Sequence, residues 1–127
     1  CLPSDLGGGT WMAPTVISGL SPYSRCSTEE IFGPVVTLHR FETDDEALEM
    51  ANCTRYGLAG SVWTRDLERG RRFSESIETG MVWVNAWLHR DLRVPFGGVK
   101  DSGVGREGGK WSLGFFSEAM NVCVKHN

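Results

Sequence analysis

Residues 95–109 read Pro95-Phe96-Gly97-Gly98-Val99-Lys100-Asp101-Ser102-Gly103-Val104-Gly105-Arg106-Glu107-Gly108-Gly109, and Gly80-Met81-Val82-Trp83-Val84-Asn85 precedes them across a connection of nine residues, Ala86 to Val94. Six of the fifteen residues in the later stretch are glycine, so its backbone can take positive φ or approach another chain or ligand closely. That composition suits neither helix nor strand, and we expect an irregular loop with no element of its own. Such loops are uncommon unless they serve a function. The earlier run is β-branched and aromatic and reads as a buried strand. A polar Asn85 at its end, followed by Trp87, His89 and Arg90, puts chemistry at a strand's carboxyl end, where open α/β sheets bind ligands.

Working back from there, strands and helices alternate. Ala13 to Ile17 suits a short strand, with Pro14 near its start; Ser18 to Thr28 reads as loop with one helical turn. Val35 to Phe41 is a strand. Thr43-Asp44-Asp45-Glu46 has the form of a capping box, with acids in the first turn, and Ala47, Leu48 and Ala51 share one face of the helix that runs to about Asn52. Tyr56-Gly57-Leu58 ends that helix and leads to a strand over Ala59 to Thr64. Asp66 caps a second helix, with Leu67, Gly70, Phe73 and Ile77 at helical spacing and Gly80 as its stop. The order strand, helix, strand, helix, strand implies an α/β fold with parallel pairing across right-handed crossovers. A short helix from Gly109 to about Gly114 and an extended Phe116 to Lys125 close the chain. We expect residues 1–114 to form one catalytic-type body and 115–127 to be a strand added to another domain or subunit, since an apolar edge tends to be covered.

Composition narrows the functions. The 127 residues are 40% hydrophobic and carry a formal net charge of -3, enough for one domain with a modest core. No basic face suggests nucleic acid: Arg65, Arg69, Arg71 and Arg72 are interspersed with Glu68, Glu75 and Glu78, the pattern of a solvated helix face. No apolar run nears the roughly 18 residues of a membrane span, and there is no signal peptide or lipidation motif. Cys1, Cys26, Cys53 and Cys123 lack zinc or redox spacing, and His39, His89 and His126 stand apart, so no metal is expected. Reduced thiols suit a cytoplasmic protein. The start at Cys1 and the turn-rich residues 1–12 lead us to expect a piece of a longer polypeptide.

Four blocks, Glu30-Ile31-Phe32-Gly33-Pro34-Val35, Tyr56-Gly57-Leu58-Ala59, Gly80 to Asn85 and Pro95 to Gly103, together resemble the NAD(P)-dependent aldehyde dehydrogenase superfamily in order and spacing. The resemblance implies the C-terminal part of that family's catalytic domain plus its oligomerisation strand. The reaction it implies is attack of a Cys thiolate on an aldehyde, hydride transfer to NAD (or NADP), and hydrolysis of the thioester with help from a Glu base, covalent catalysis in two easier steps. By the same resemblance Glu30 holds the nicotinamide ribose hydroxyls and Phe32 packs near the nicotinamide; the plain alternative for Glu30 is a surface acid. Asn85 falls near the active site, or is simply a turn-former. Phe96 walls the substrate funnel, or is core.

The substrate-facing connection, Ala86-Trp87-Leu88-His89-Arg90-Asp91-Leu92-Arg93-Val94, is similar to that of the branch acting on 2-aminomuconic or 2-hydroxymuconic semialdehyde. There Arg90 would grip a substrate carboxylate through paired donors, with Trp87 beside it. The alternative is a salt bridge from Arg90 to Asp91 or another loop acid, and Arg93 matches no gripping role. The sequence departs from the family in one large respect: the nucleophilic Cys with its preceding Gly-Gln, the Glu base, the oxyanion Asn and the nucleotide-binding half are all missing. No residue here is therefore expected to be catalytic, and the chain alone is expected to be inactive. The expected partners are the aldehyde, the remainder of the enzyme, and further copies in a dimer or tetramer joined through 115–127. The rivals are a non-catalytic strand-adding assembly module and a literal G-x-G-x-x-G dinucleotide fingerprint at Gly103 to Gly108, which would need a preceding strand and an acid about 20 residues on.

Overall fold

The computed structural model describes residues 7–126, so Cys1 and the first half of the expected N-terminal loop lie outside the described residues. The chain forms two compact units, one up to Arg55 and the other from Tyr56 onward.

In the first unit, β1 (Thr15–Ser18) and β2 (Val35–Leu38) pair in parallel with Thr15 opposite Val35 and Ser18 opposite Leu38. Both strands alternate half-buried with exposed positions, the period of two that a pleated strand imposes. The single turn α1 (Arg25–Thr28) lies between them. The helix α2 (Asp44–Asn52) starts where its capping box places it: the Thr43 hydroxyl accepts from Glu46 N at 3.2 Å. The Glu46 carboxylate reaches back one residue further than expected, accepting from Glu42 N at 2.7 Å. The first bond satisfies an amide that the helix start leaves without a partner, and the second ties the residue before the cap to the first turn.

The second unit is built on β4 (Ala59–Val62) and β5 (Met81–Val84), parallel neighbours with Ser61 opposite Trp83, joined by α3 (Leu67–Ser76). Asp66 caps α3, its carboxylate accepting from Arg69 N at 3.0 Å. Buried Gly70 lets the helix approach the sheet, because a Cβ there would stand 2.8 Å from Val84 Cγ1. Arg71 pairs with Glu68 at 3.3 Å and Glu75 at 2.7 Å along the solvated face.

Four expectations need correction. Tyr56-Gly57 does not end α2; it is the short strand β3, antiparallel to β6 (Val99–Lys100). The glycine stretch is therefore not without an element. It also closes on itself, since Phe96 N donates to Glu107 O at 2.9 Å and Glu107 N to Phe96 O at 2.8 Å. Backbone polar groups need partners, and here the loop supplies its own. Gly80 is not the stop of α3, which ends at Ser76 and is capped by Ile77, whose N–H donates to Phe73 O. Gly80 instead allows a close crossing: a Cβ on it would lie 1.7 Å from the carbonyl oxygen of Gly97. Finally, β5 is half-buried along its length, and among the described residues no hydrophobic side chain is fully buried. An interior strand of a parallel sheet is covered on both faces, and these residues alone do not supply that cover.

The helix α4 (Gly109–Phe115) follows the loop, with the Ser112 hydroxyl accepting from Gly108 N at 2.8 Å. Residues 117–126 join no strand among the described residues, and Phe116, Met120, Val122 and Val124 are exposed. No helix among the described residues is long and apolar enough to cross a membrane.

Candidate functional site

The second unit holds a cavity of about 400 Å³ alongside β5, from Gly80 to Trp83, closed by the later part of the 86–94 connection and by the glycine loop. That size falls in the range of small-molecule sites. Trp83, Phe96 and Leu92 give it apolar walls, and His89, Arg90, Asp91 and Glu107 give it polar groups.

The connection that carries Arg90 is held at several points. Asn85 takes a left-handed φ of 53°, a conformation that Asn tolerates better than most residues. Its carboxamide then matches the backbone of Thr64, Nδ2 donating to Thr64 O at 2.7 Å and Oδ1 accepting from Thr64 N at 2.8 Å. Ser61 Oγ donates to Ala86 O at 2.9 Å. Trp83 Nε1 donates to His89 O at 2.9 Å, and Trp87 meets Trp83 edge to face with centroids 5.3 Å apart. Leu88 between them is also left-handed, φ 54°, at a cost of about 1–2 kcal/mol for a residue with a Cβ.

At the end of this tether the Arg90 guanidinium lies 4.4 Å from the centre of the Phe96 ring and 4.0 Å from Glu107. The cation over a ring face is an attractive arrangement, and the ion pair is long and half exposed. Asp91 is engaged elsewhere, accepting from Arg93 Nε at 2.9 Å and from Arg93 N at 2.9 Å. The side-chain bond from Arg93 is the main cause that holds the Asp91 carboxyl below its ordinary range. Of the two cations on the connection, Arg93 is bound to its neighbour and Arg90 faces the cavity.

Of the residues singled out from the sequence, Arg90 and Phe96 line the cavity. Trp87 stands behind Trp83, and Asn85 fixes the start of the connection; neither lines the cavity. Glu30 and Phe32 belong to the first unit, in the turn before β2. Glu30 is exposed, and Phe32 is 94% exposed on a left-handed backbone, φ 52°. An aromatic ring held outward at a strained position has nothing here to bury against, and such outliers cluster at ligand sites. Sequence reasoning missed Trp83, taken as an ordinary strand residue, and Glu107. The latter comes beside Phe96 only through the pairing that closes the loop, which no local pattern reveals.

A second cavity, of about 410 Å³, lies on the other side of Phe96 toward Phe116. Its cation, Arg106, donates to Gly98 O and Gly105 O and so braces the loop. The stretch Gly103 to Gly108 that borders it follows a two-residue antiparallel strand, not the parallel strand of a dinucleotide fold. Among the described residues no group of three or more His, Cys, Asp or Glu is placed to hold a metal ion.

The profile of the aldehyde dehydrogenase family matches residues 2–122. The chain belongs to the aldehyde dehydrogenase family. It is 50% identical over 124 residues to a 2-hydroxymuconic semialdehyde dehydrogenase of Pseudomonas putida, covering 98% of this chain and 26% of that protein. It is 53% identical over 117 residues to a 2-aminomuconic 6-semialdehyde dehydrogenase of a Pseudomonas species, covering 92% and 24%. Among solved structures it resembles the Mycobacterium tuberculosis aldehyde dehydrogenase complexed with NAD+, with a TM-score of 0.86 and 40% identity over 92% of this chain and 24% of that one. The chain thus spans about a quarter of the length of the aldehyde dehydrogenases it matches. Its parallel pairs with a crossing helix are part of an aldehyde dehydrogenase α/β fold.

Proposed function

We propose that this chain forms the aldehyde-facing and nicotinamide-facing part of an NAD(P)-dependent dehydrogenase that oxidises a carboxylate-bearing semialdehyde, of the 2-aminomuconic or 2-hydroxymuconic type, to the acid. The observation that carries the reading is Arg90, set over Phe96 at the cavity while Asp91 is engaged by Arg93. A guanidinium offers two parallel donors to a carboxylate, and Phe96 with Trp83 offers flat apolar surface to a conjugated chain. Identity of about half to proteins named for muconic semialdehydes supports the substrate class.

Glu30 and Phe32 fit a nicotinamide cofactor: an exposed carboxylate can accept from ribose hydroxyls, and the outward ring can limit the motion of a flat heterocycle. NAD, when bound, supplies the hydride acceptor. The residues of this chain then do three things: Arg90 orients the acid end of the substrate, Phe96 and Trp83 exclude water from its apolar length, and Asn85 fixes the connection that carries Arg90. The thiolate and the Glu base come from polypeptide outside these 127 residues, so the chain alone does not turn over aldehyde.

The test is NAD reduction with a muconic semialdehyde and with a neutral aldehyde such as benzaldehyde, using the full-length enzyme that carries this chain and the 127-residue chain by itself. The expected outcome is activity only in the former. Arg90→Gln should lower kcat/KM for the acid-bearing aldehyde roughly 10- to 100-fold, the value of a charge-assisted bond, and spare the neutral one. Equal losses on both, or turnover by the short chain, would defeat the reading.

A second reading, compatible with the first, is assembly. Phe115, Phe116, Met120, Val122 and Val124 are all at least 70% exposed, and an apolar extended segment is suited to strand addition. Residues 115–127 would then join copies into a dimer or tetramer.

A further inference from the structure

We infer that Trp83 is a positioning residue for Arg90, and hence sets the preference for acid-bearing substrates, through the hydrogen bond from its indole N–H to the carbonyl of His89. The inference rests on the role proposed above for Arg90. Trp83 sits on β5, whose backbone is fixed by parallel pairing with β4, Ser61 lying opposite Trp83. Its Nε1 donates at 2.9 Å to His89 O, the carbonyl directly before Arg90. An indole N–H has one donor and no acceptor, so the bond fixes where the connection passes over the strand. Trp87 closes on the same ring edge to face, and Ser61, the cross-strand neighbour, holds Ala86 O at 2.9 Å.

The segment between these anchors is strained, with Asn85 and Leu88 both at positive φ. A strained segment keeps its shape only where its surroundings over-determine it. Between Asn85 and Arg90 the tether at His89 lies nearest the functional cation. Without it, Leu88 can relax toward ordinary φ, which turns the peptide leading into Arg90. The guanidinium, now 4.4 Å from the centre of the Phe96 ring and 4.0 Å from Glu107, then loses its fixed place over the cavity. A misplacement of about 1 Å weakens recognition even where every contacting residue is present. Trp83 also lines the cavity, so its ring and its N–H have separable roles. Phe keeps one flat ring and removes the donor together with the second ring of the indole.

The experiment compares Trp83→Phe, Arg90→Gln and the double variant in the full-length enzyme, with a muconic semialdehyde and with benzaldehyde. Trp83→Phe should lower the preference for the acid-bearing aldehyde over benzaldehyde about 5- to 10-fold, the worth of one hydrogen bond, since any loss from the altered cavity wall falls on both aldehydes and cancels in their ratio. In the Arg90→Gln background the same substitution should add nothing, because the group it positions is gone. Equal losses on both aldehydes, or an undiminished extra loss in the double variant, would show a merely structural tryptophan and overturn the inference while leaving Arg90's role intact. If Arg90→Gln itself leaves the preference unchanged, the carboxylate reading fails and this inference fails with it.

Discussion

At the scale of single residues, the site depends on how two arginines three positions apart are treated differently. Arg93 folds back on Asp91 through its side chain and its own backbone N–H, whereas Arg90 is carried past Asp91 onto an aromatic face. The Asp91 carboxyl is held below its ordinary pKa by that bond. A depressed carboxylate contributes order that is present above its unfolded pKa and is lost as pH falls through the depressed value. Asp91 should therefore titrate at lower pH than an unpaired aspartate in an NMR pH series, and Arg93→Ala, which removes the largest cause and keeps the backbone N–H, should raise it toward the ordinary range. An unmoved titration curve would show that the pair between Arg93 and Asp91 does not form in solution.

At the scale of elements, glycine placement decides how the loop meets the strand. Gly80 opens β5 directly against Gly97, and a methyl group would be driven into the Gly97 carbonyl. Gly57 is similarly confined, with a built Cβ 2.5 Å from Glu78 O. We expect Gly80→Ala to destabilise the enzyme by roughly 3 kcal/mol or more, the range of a backbone clash that cannot relax, read as a large fall in Tm. A variant that melts with its parent would mean that β5 and the glycine loop do not cross at this point. The alternation of helix and strand, the Thr43 and Asp66 caps and the parallel pair β4 and β5 all followed from local pattern. The pairing of β3 with β6 did not: two-residue strands with partners 42 positions apart, as Gly57 is from Val99, carry no periodicity to read.

At the scale of the whole molecule the deciding fact is how little the described residues bury. Among the described residues Trp63, Leu67, Leu92 and Val104 are more than two-thirds exposed, and no hydrophobic side chain is fully buried. Apolar burial is the dominant favourable term in folding, so these 127 residues by themselves should bind a hydrophobic dye strongly and unfold without a sharp transition. Light scattering after size exclusion should show association that falls when residues 115–127 are removed. A monodisperse, cooperatively melting monomer of the intact chain would contradict both expectations.

What the sequence by itself determined is local: where α2 and α3 begin, that the cores of β1, β2, β4 and β5 are extended, and that Arg90 and Phe96 follow the last of these strands. It could do so because caps, turn residues and side-chain periodicity act over a few positions along the chain. Only the tertiary structure decided that Glu107 stands beside Phe96, that Gly80 makes room for Gly97, and that the Trp83 indole holds the carbonyl before Arg90. Those contacts depend on how the backbone closes on itself, and loop closure is set by pairing between distant residues rather than by the preferences of any one of them.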